Sequence, residues 1–93
     1  KEAFVVFMII FPSQKYKKSF AKKDKFVKEK ALERIELFIR NPFNPLLNNH
    51  ALQGEHKDKR SLNVTGDYRI WFYYENENTV VLTDIGTHTE LYE

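Results

Sequence analysis

Residues 60–85 read Arg60-Ser-Leu-Asn-Val-Thr-Gly-Asp-Tyr-Arg-Ile-Trp-Phe-Tyr-Tyr-Glu-Asn-Glu-Asn-Thr-Val-Val-Leu-Thr-Asp-Ile85. Three strands and two turns are legible in this stretch. Arg60 to Val64 alternates apolar and polar residues with a period of two, the mark of a strand with one buried face. Thr65-Gly66-Asp67 supplies a tight turn. Tyr68 to Tyr74 is a run of aromatic and β-branched residues interrupted by Arg69, and reads as a second strand. Glu75 to Asn78 is a polar turn, and Thr79 to Ile85 is the third strand. Turns this short join neighbouring strands, so the three form an antiparallel meander.

Upstream the period changes. Ala3 to Phe11 is an unbroken apolar run rich in Val, Ile and Phe, and reads as a strand buried on both faces. Pro12 and Ser13 end it. Ser13 is placed to cap a short helix that carries Tyr16 and Phe20 on one face and closes at Lys22-Lys23-Asp24. A second helix runs from Lys25 to Arg40, with Val27, Ala31, Ile35, Phe38 and Ile39 as its apolar stripe. Asn41-Pro42 stops it, and Pro42 to Asn49 is a loop. The order β-α-α-β-β-β predicts an α+β fold: a helical hairpin packed on one face of a twisted sheet. The length, 93 residues, predicts a single domain spanning 1–93.

Composition narrows the function. There is no cysteine, which excludes a disulfide scaffold, a thiolate metal site and a cysteine nucleophile. The nine-residue run Ala3–Phe11 falls short of the ~20 residues a membrane span needs, and no small-residue cleavage site follows it. The net charge of +2 hides an asymmetry. Residues 1–30 hold nine lysines against Glu2, Asp24 and Glu29, whereas residues 61–93 set only Arg69 against six acids. A basic N-terminal third fits a local polyanion contact, or plain solvation of helix surfaces.

The three histidines, His50, His56 and His88, make no metal-binding spacing, and no phosphate loop or nucleophile elbow is present. No cofactor or metal site is therefore expected. What remains is a set of His, Arg, Lys and Tyr residues near strand ends: His50 in a loop just before Leu52-Gln53-Gly54, Lys57 and Arg60 leading into a strand, Arg69 beyond the turn, His88 at the end of the last strand, and Tyr92. This palette suits RNA cleavage through the ribose 2′-hydroxyl. Histidine carries protons near neutral pH, arginine holds a phosphate through two hydrogen bonds, and an aromatic ring stacks on an unpaired base. The same residues equally suit a solvated surface and ordinary sheet packing. Residue chemistry alone reaches a small α+β domain with nucleic acid as its candidate target.

A longer pattern reaches further. His50-Ala51-Leu52-Gln53-Gly54, then Arg60-Ser61, Gly66-Asp67-Tyr68-Arg69 and Asp84-Ile85-Gly86-Thr87-His88-Thr89-Glu90-Leu91-Tyr92 resemble the RelE/ParE toxin superfamily, in particular its YafQ-like branch. The resemblance implies the toxin half of a bacterial type II toxin–antitoxin pair, acting in the cytoplasm. It implies cleavage of messenger RNA in the ribosomal A site, silenced by a cognate antitoxin, with a heterotetramer as one form of the complex. Position by position it implies His50, Asp67, Arg69, His88 and Tyr92 as catalytic residues, with Tyr68 where that branch has tryptophan. Lys17, Lys18, Lys22, Lys57 and Arg60, with Tyr68, become the RNA-binding set, the helical lysines facing ribosomal RNA.

The chain departs from the pattern twice. Asn63 stands where the branch has a second histidine, and Asp84 stands where it has an arginine four residues before the last histidine. Two rival readings follow: a ParE-like toxin that binds DNA gyrase and cuts nothing, and a degenerate toxin that retains only antitoxin binding. His50 together with His88 favours the nuclease, because ParE-like proteins generally lack this histidine pair.

Overall fold

A computed structural model describes residues 8–93. The elements run β1 (Ile9–Pro12), α1 (Gln14–Ala21), α2 (Lys25–Arg40), β2 (His50–Ala51), β3 (Arg60–Thr65), β4 (Tyr68–Asn76), β5 (Thr79–Thr87) and α3 (His88–Tyr92). The five strands form one sheet in the order β1-β5-β4-β3-β2. β1 runs parallel to β5 and every other pair is antiparallel. The α+β order and the meander are as the sequence predicts. Among the described residues no helix is long and apolar enough to cross a membrane.

Local chemistry sets the element ends. Ser13 Oγ accepts from the Tyr16 amide at 3.0 Å and Asp24 Oδ1 from the Val27 amide at 2.9 Å, so both long helices begin on a side-chain cap. Gly66 takes φ +52, a left-handed conformation that costs glycine nothing and lets β3 turn directly into β4. α1 lies against β5 and α2 against β3. Their buried faces supply Tyr16, Val27, Ala31 and Phe38 to a core completed by Leu47, Leu62, Val64, Ile70, Phe72, Val80, Leu82 and Ile85. Burial pushes the Tyr16 hydroxyl above its ordinary pKa range, and that hydroxyl has no partner among the described residues.

Four expectations need correction. The described part of the first strand is not buried on both faces: Ile9 and Phe11 are 56% and 60% exposed, because β1 is the sheet edge and the hairpin covers one side. Residues 3–7 of that run lie outside the described residues. Ile39, at the C-terminal end of the α2 stripe, is exposed. His50 sits not in a loop but in β2, a two-residue strand paired with β3. His88 does not end a strand: β5 continues to Thr87, and His88 opens α3.

A bulge in β5 decides what its C-terminal half presents. Trp71 pairs with Asp84 and Phe72 with Leu82, which leaves Thr83 as the extra residue; its Oγ1 donates to the Trp71 carbonyl at 3.1 Å. The inserted residue shifts the side-chain parity, so Ile85 rather than Asp84 joins Leu82 in the core. Asp84 turns to α1, where Ser19 Oγ donates to it at 3.1 Å and Lys15 Nζ pairs with it at 3.3 Å. Asp84 therefore neither orients His88 nor enters the core.

Candidate active site

Side chains alternate across β4, so Ile70 and Phe72 enter the main core while Trp71 faces the opposite side of the sheet. On that side Trp71 meets Leu52 and Leu91 in a second, smaller apolar cluster. Leu91 comes from α3, a five-residue helix that folds back over Gly86. A Cβ at Gly86 would lie 2.9 Å from Glu90 Oε1 and 3.3 Å from Glu90 Cβ, so any other residue there would push the Glu90 side chain aside. α3 is closed by a capping box: Thr87 Oγ1 accepts from the Glu90 amide at 3.2 Å, and Glu90 Oε1 accepts from the Thr87 amide at 2.8 Å. That amide, with Lys23 Nζ at 3.4 Å, holds the Glu90 carboxyl below its ordinary pKa.

The register then sets two cross-strand rows side by side. His50 pairs with Ser61 and Ser61 with Trp71; Asn63 pairs with Arg69 and Arg69 with Gly86. With α3 closing the end, His50, Leu52, Ser61, Arg69, Trp71, His88, Leu91 and Tyr92 line a cleft of about 130 Å³. Four of the five catalytic candidates read from sequence meet there. Among the described residues no Asp or Glu lines it, and no carboxylate lies within ion-pair distance of Arg69. The cleft is thus disposed to take an anion.

Two anchors shape its chemistry. His50 Nδ1 lies 2.7 Å from the Asn48 carbonyl, which can only accept, so in the neutral ring Nδ1 carries the proton and Nε2 keeps its lone pair. Arg69 Nη1 donates to the carbonyls of Gly66 at 2.8 Å and Tyr68 at 2.9 Å. The turn thereby holds one corner of the guanidinium and leaves Nε and Nη2 for a ligand. His88 and Tyr92, four apart on α3, stand with ring centroids 4.6 Å apart.

The other candidates lie elsewhere. Asp67 is exposed at the tip of the β3–β4 turn and does not line the cleft. Tyr68 packs partly on the main core, with Lys23 Nζ 5.9 Å from its ring centre. Lys57 and Arg60 border a separate groove with Lys59, Tyr73 and Tyr74, and Arg60 Nε donates to Asn49 Oδ1 at 2.9 Å. Lys17 edges an apolar groove on the hairpin, Lys18 is exposed, and Lys22 lies beside Asp84 and Glu90. Asn63 Oδ1 is buried without a partner among the described residues. Among the described residues no group of three His, Asp or Glu side chains could hold a metal. Sequence reasoning missed Ser61, a buried polar residue in the cleft lining, and His56, whose ring packs on Trp71 and Tyr92 at 4.8 and 5.5 Å. Only long-range packing reveals either one.

The family model described as "Bacterial toxin of type II toxin-antitoxin system, YafQ" matches residues 8–93. The chain belongs to this family. Sequence comparison with curated proteins gives no match. Among solved structures, YafQ from E. coli strain BL21(DE3) superposes with a TM-score of 0.78 at 22% identity, covering 92% of this chain and 99% of that one. YafQ in the E. coli DinJ–YafQ toxin–antitoxin complex gives 0.74 at 23% identity, covering 95% and 100%. The YoeB/ParE toxin from Agrobacterium tumefaciens gives 0.74 at 18% identity, covering 87% and 99%. At these identities the superpositions establish the shared fold, and the YafQ family model carries the membership.

Proposed function

We propose that this member of the YafQ family is a ribosome-dependent endoribonuclease that cuts messenger RNA in the ribosomal A site. The observation that carries the reading is the convergence of His50, Arg69, His88 and Tyr92 on one acid-free cleft. His50 Nε2, left as an acceptor by the Asn48 carbonyl, takes the proton of a ribose 2′-hydroxyl. The 2′-oxygen attacks phosphorus while the free edge of Arg69 binds the phosphate and the charge that develops on it. His88 protonates the leaving 5′-oxygen. The products are a 2′,3′-cyclic phosphate and a 5′-hydroxyl, and no metal takes part. Tyr92 stacks on an unpaired base beside the cut. Asp67, outside the cleft, has no step in this scheme.

Lys17 and Lys18 of α1, with Lys22 at its C-cap, hold ribosomal RNA, and Lys57 with Arg60 bind flanking RNA in their own groove. The partner is a cognate antitoxin, as DinJ is for YafQ in the E. coli complex. It covers the Arg69 face or displaces the segment around Tyr92, in a heterotetramer. Toeprinting of a messenger on purified ribosomes tests the reading. His50→Ala and His88→Ala should each slow cleavage by about 10²–10⁴-fold while the proteins stay folded. Wild-type cleavage rates in either variant overturn that residue's role. An inert wild type that poisons gyrase instead establishes the ParE-like reading.

A further inference from the structure

His56 matches none of the family positions quoted above, and on sequence its replacement by alanine is expected to be silent. The structure gives it a place. Residues 52–59 fold into a loop braced by its own backbone: the Leu52 amide donates to the Lys59 carbonyl at 2.9 Å, the Lys59 amide to the His56 carbonyl at 2.9 Å, and the Lys57 amide to the Gly54 carbonyl at 3.2 Å. Gly54, at φ +66, supplies the left-handed step that starts the turn. The braced loop sets the His56 ring against Trp71 at 4.8 Å and edge-on to Tyr92 at 5.5 Å and 81°. Tyr92 also meets Trp71 at 4.9 Å and 79°, and His88 at 4.6 Å.

Trp71 is fixed, being 4% exposed on the central strand, whereas Tyr92 is 46% exposed on a helix too short to hold itself. Two rings therefore position Tyr92, one rigid from the sheet and one from the braced loop, and Tyr92 in turn contacts His88. We infer that His56 is a positioning residue of the active site: it acts through Tyr92 to hold His88 in place, and it does so as a ring rather than as a proton carrier. His56 does not line the cleft, so it takes no part in substrate contact.

The inference rests on the nuclease reading for its kinetic consequence but not for its structural one, and the test separates them. The chain has one tryptophan, so Trp71 fluorescence and the His88 ring resonances report the cluster without any activity. In variants shown to be folded by circular dichroism, His56→Ala should lower kcat for ribosomal cleavage by about tenfold or more with KM unchanged. It should also shift the Trp71 emission and the His88 resonances. His56→Phe, which keeps a ring and removes the proton carrier, should restore kcat to within about threefold. An unshifted His88 signal in His56→Ala overturns the inference, as does a His56→Phe variant as slow as His56→Ala. If the wild type cleaves nothing, the nuclease reading fails, and the His88 and Trp71 signals still decide the role of His56.

Discussion

Leu91→Ala probes whether α3 is a part of the candidate active site that must be held down. The helix has five residues, far below the ~12–15 at which an isolated helix becomes even marginal, so its docking depends on contacts. Leu91 is its buried anchor, 7% exposed, in a cluster with Leu52 and Trp71 that is separate from the main core. Leu→Ala in cores costs 2–5 kcal/mol, and a three-residue cluster at the surface belongs at the low end, about 2 kcal/mol. That is about thirtyfold in the docking equilibrium. Because the cluster is separate, the loss should fall on local opening of α3 and leave the main unfolding transition nearly in place. The Glu90 amide, which donates to Thr87 Oγ1, should exchange with solvent up to about thirtyfold faster, and ribosomal cleavage should fall by up to the same factor. Faster exchange with an unchanged cleavage rate would refute the reasoning, since His88 and Tyr92 would then work from an undocked helix.

Four further outcomes follow from the same structure. Gly86→Ala should displace Glu90 from the capping box and mimic Leu91→Ala in exchange and cleavage, because the added Cβ meets Glu90 at 2.9 and 3.3 Å. The Glu90 carboxyl has its pKa lowered in the folded protein, so its stabilisation of α3 is full above the unfolded-state value and is lost as pH falls through the folded-state value. Protection of the α3 amides, taken relative to the intrinsic exchange rate at each pH, should accordingly fall in acid, and Glu90→Gln should remove that pH dependence. Arg69→Ala should slow cleavage by about 10²–10³-fold, with Arg69→Lys recovering only part, because lysine cannot present the two-edged donor that the turn carbonyls orient. Changing Lys17, Lys18 and Lys22 together to Glu should weaken ribosome binding and reduce its salt slope by about three units; an unchanged slope would return them to surface solvation.

Much of this architecture is written locally. Ser13 and Asp24 cap their helices because a side-chain oxygen can reach an amide three residues on, and that is legible from two residues and a spacing. The Val27–Ala31–Ile35–Phe38 stripe and the Gly66-Asp67 turn are legible for the same reason. The parallel pairing of β1 with β5 is not, because nothing local to Ile9–Pro12 names a partner some seventy residues away. Nor is the bulge at Thr83, since Asp84 and Ile85 exchange places only once β4 imposes its register. In the site, His50, Arg69, His88 and Tyr92 were legible through the family pattern. Ser61 and His56 were not, since a cross-strand row and a ring packed on Trp71 exist only after folding. α3 escaped because a five-residue helix has too few residues to show a period.

The central claim is that the cleft cuts RNA by moving the 2′-hydroxyl proton, and the ends of the product report this most directly. Messenger cut by the wild-type protein on purified ribosomes should carry a 2′,3′-cyclic phosphate or 3′-phosphate upstream and a 5′-hydroxyl downstream, and those fragments should vanish with His88→Ala. A 3′-hydroxyl upstream and a 5′-phosphate downstream would contradict the account, because attack by the 2′-oxygen cannot produce them.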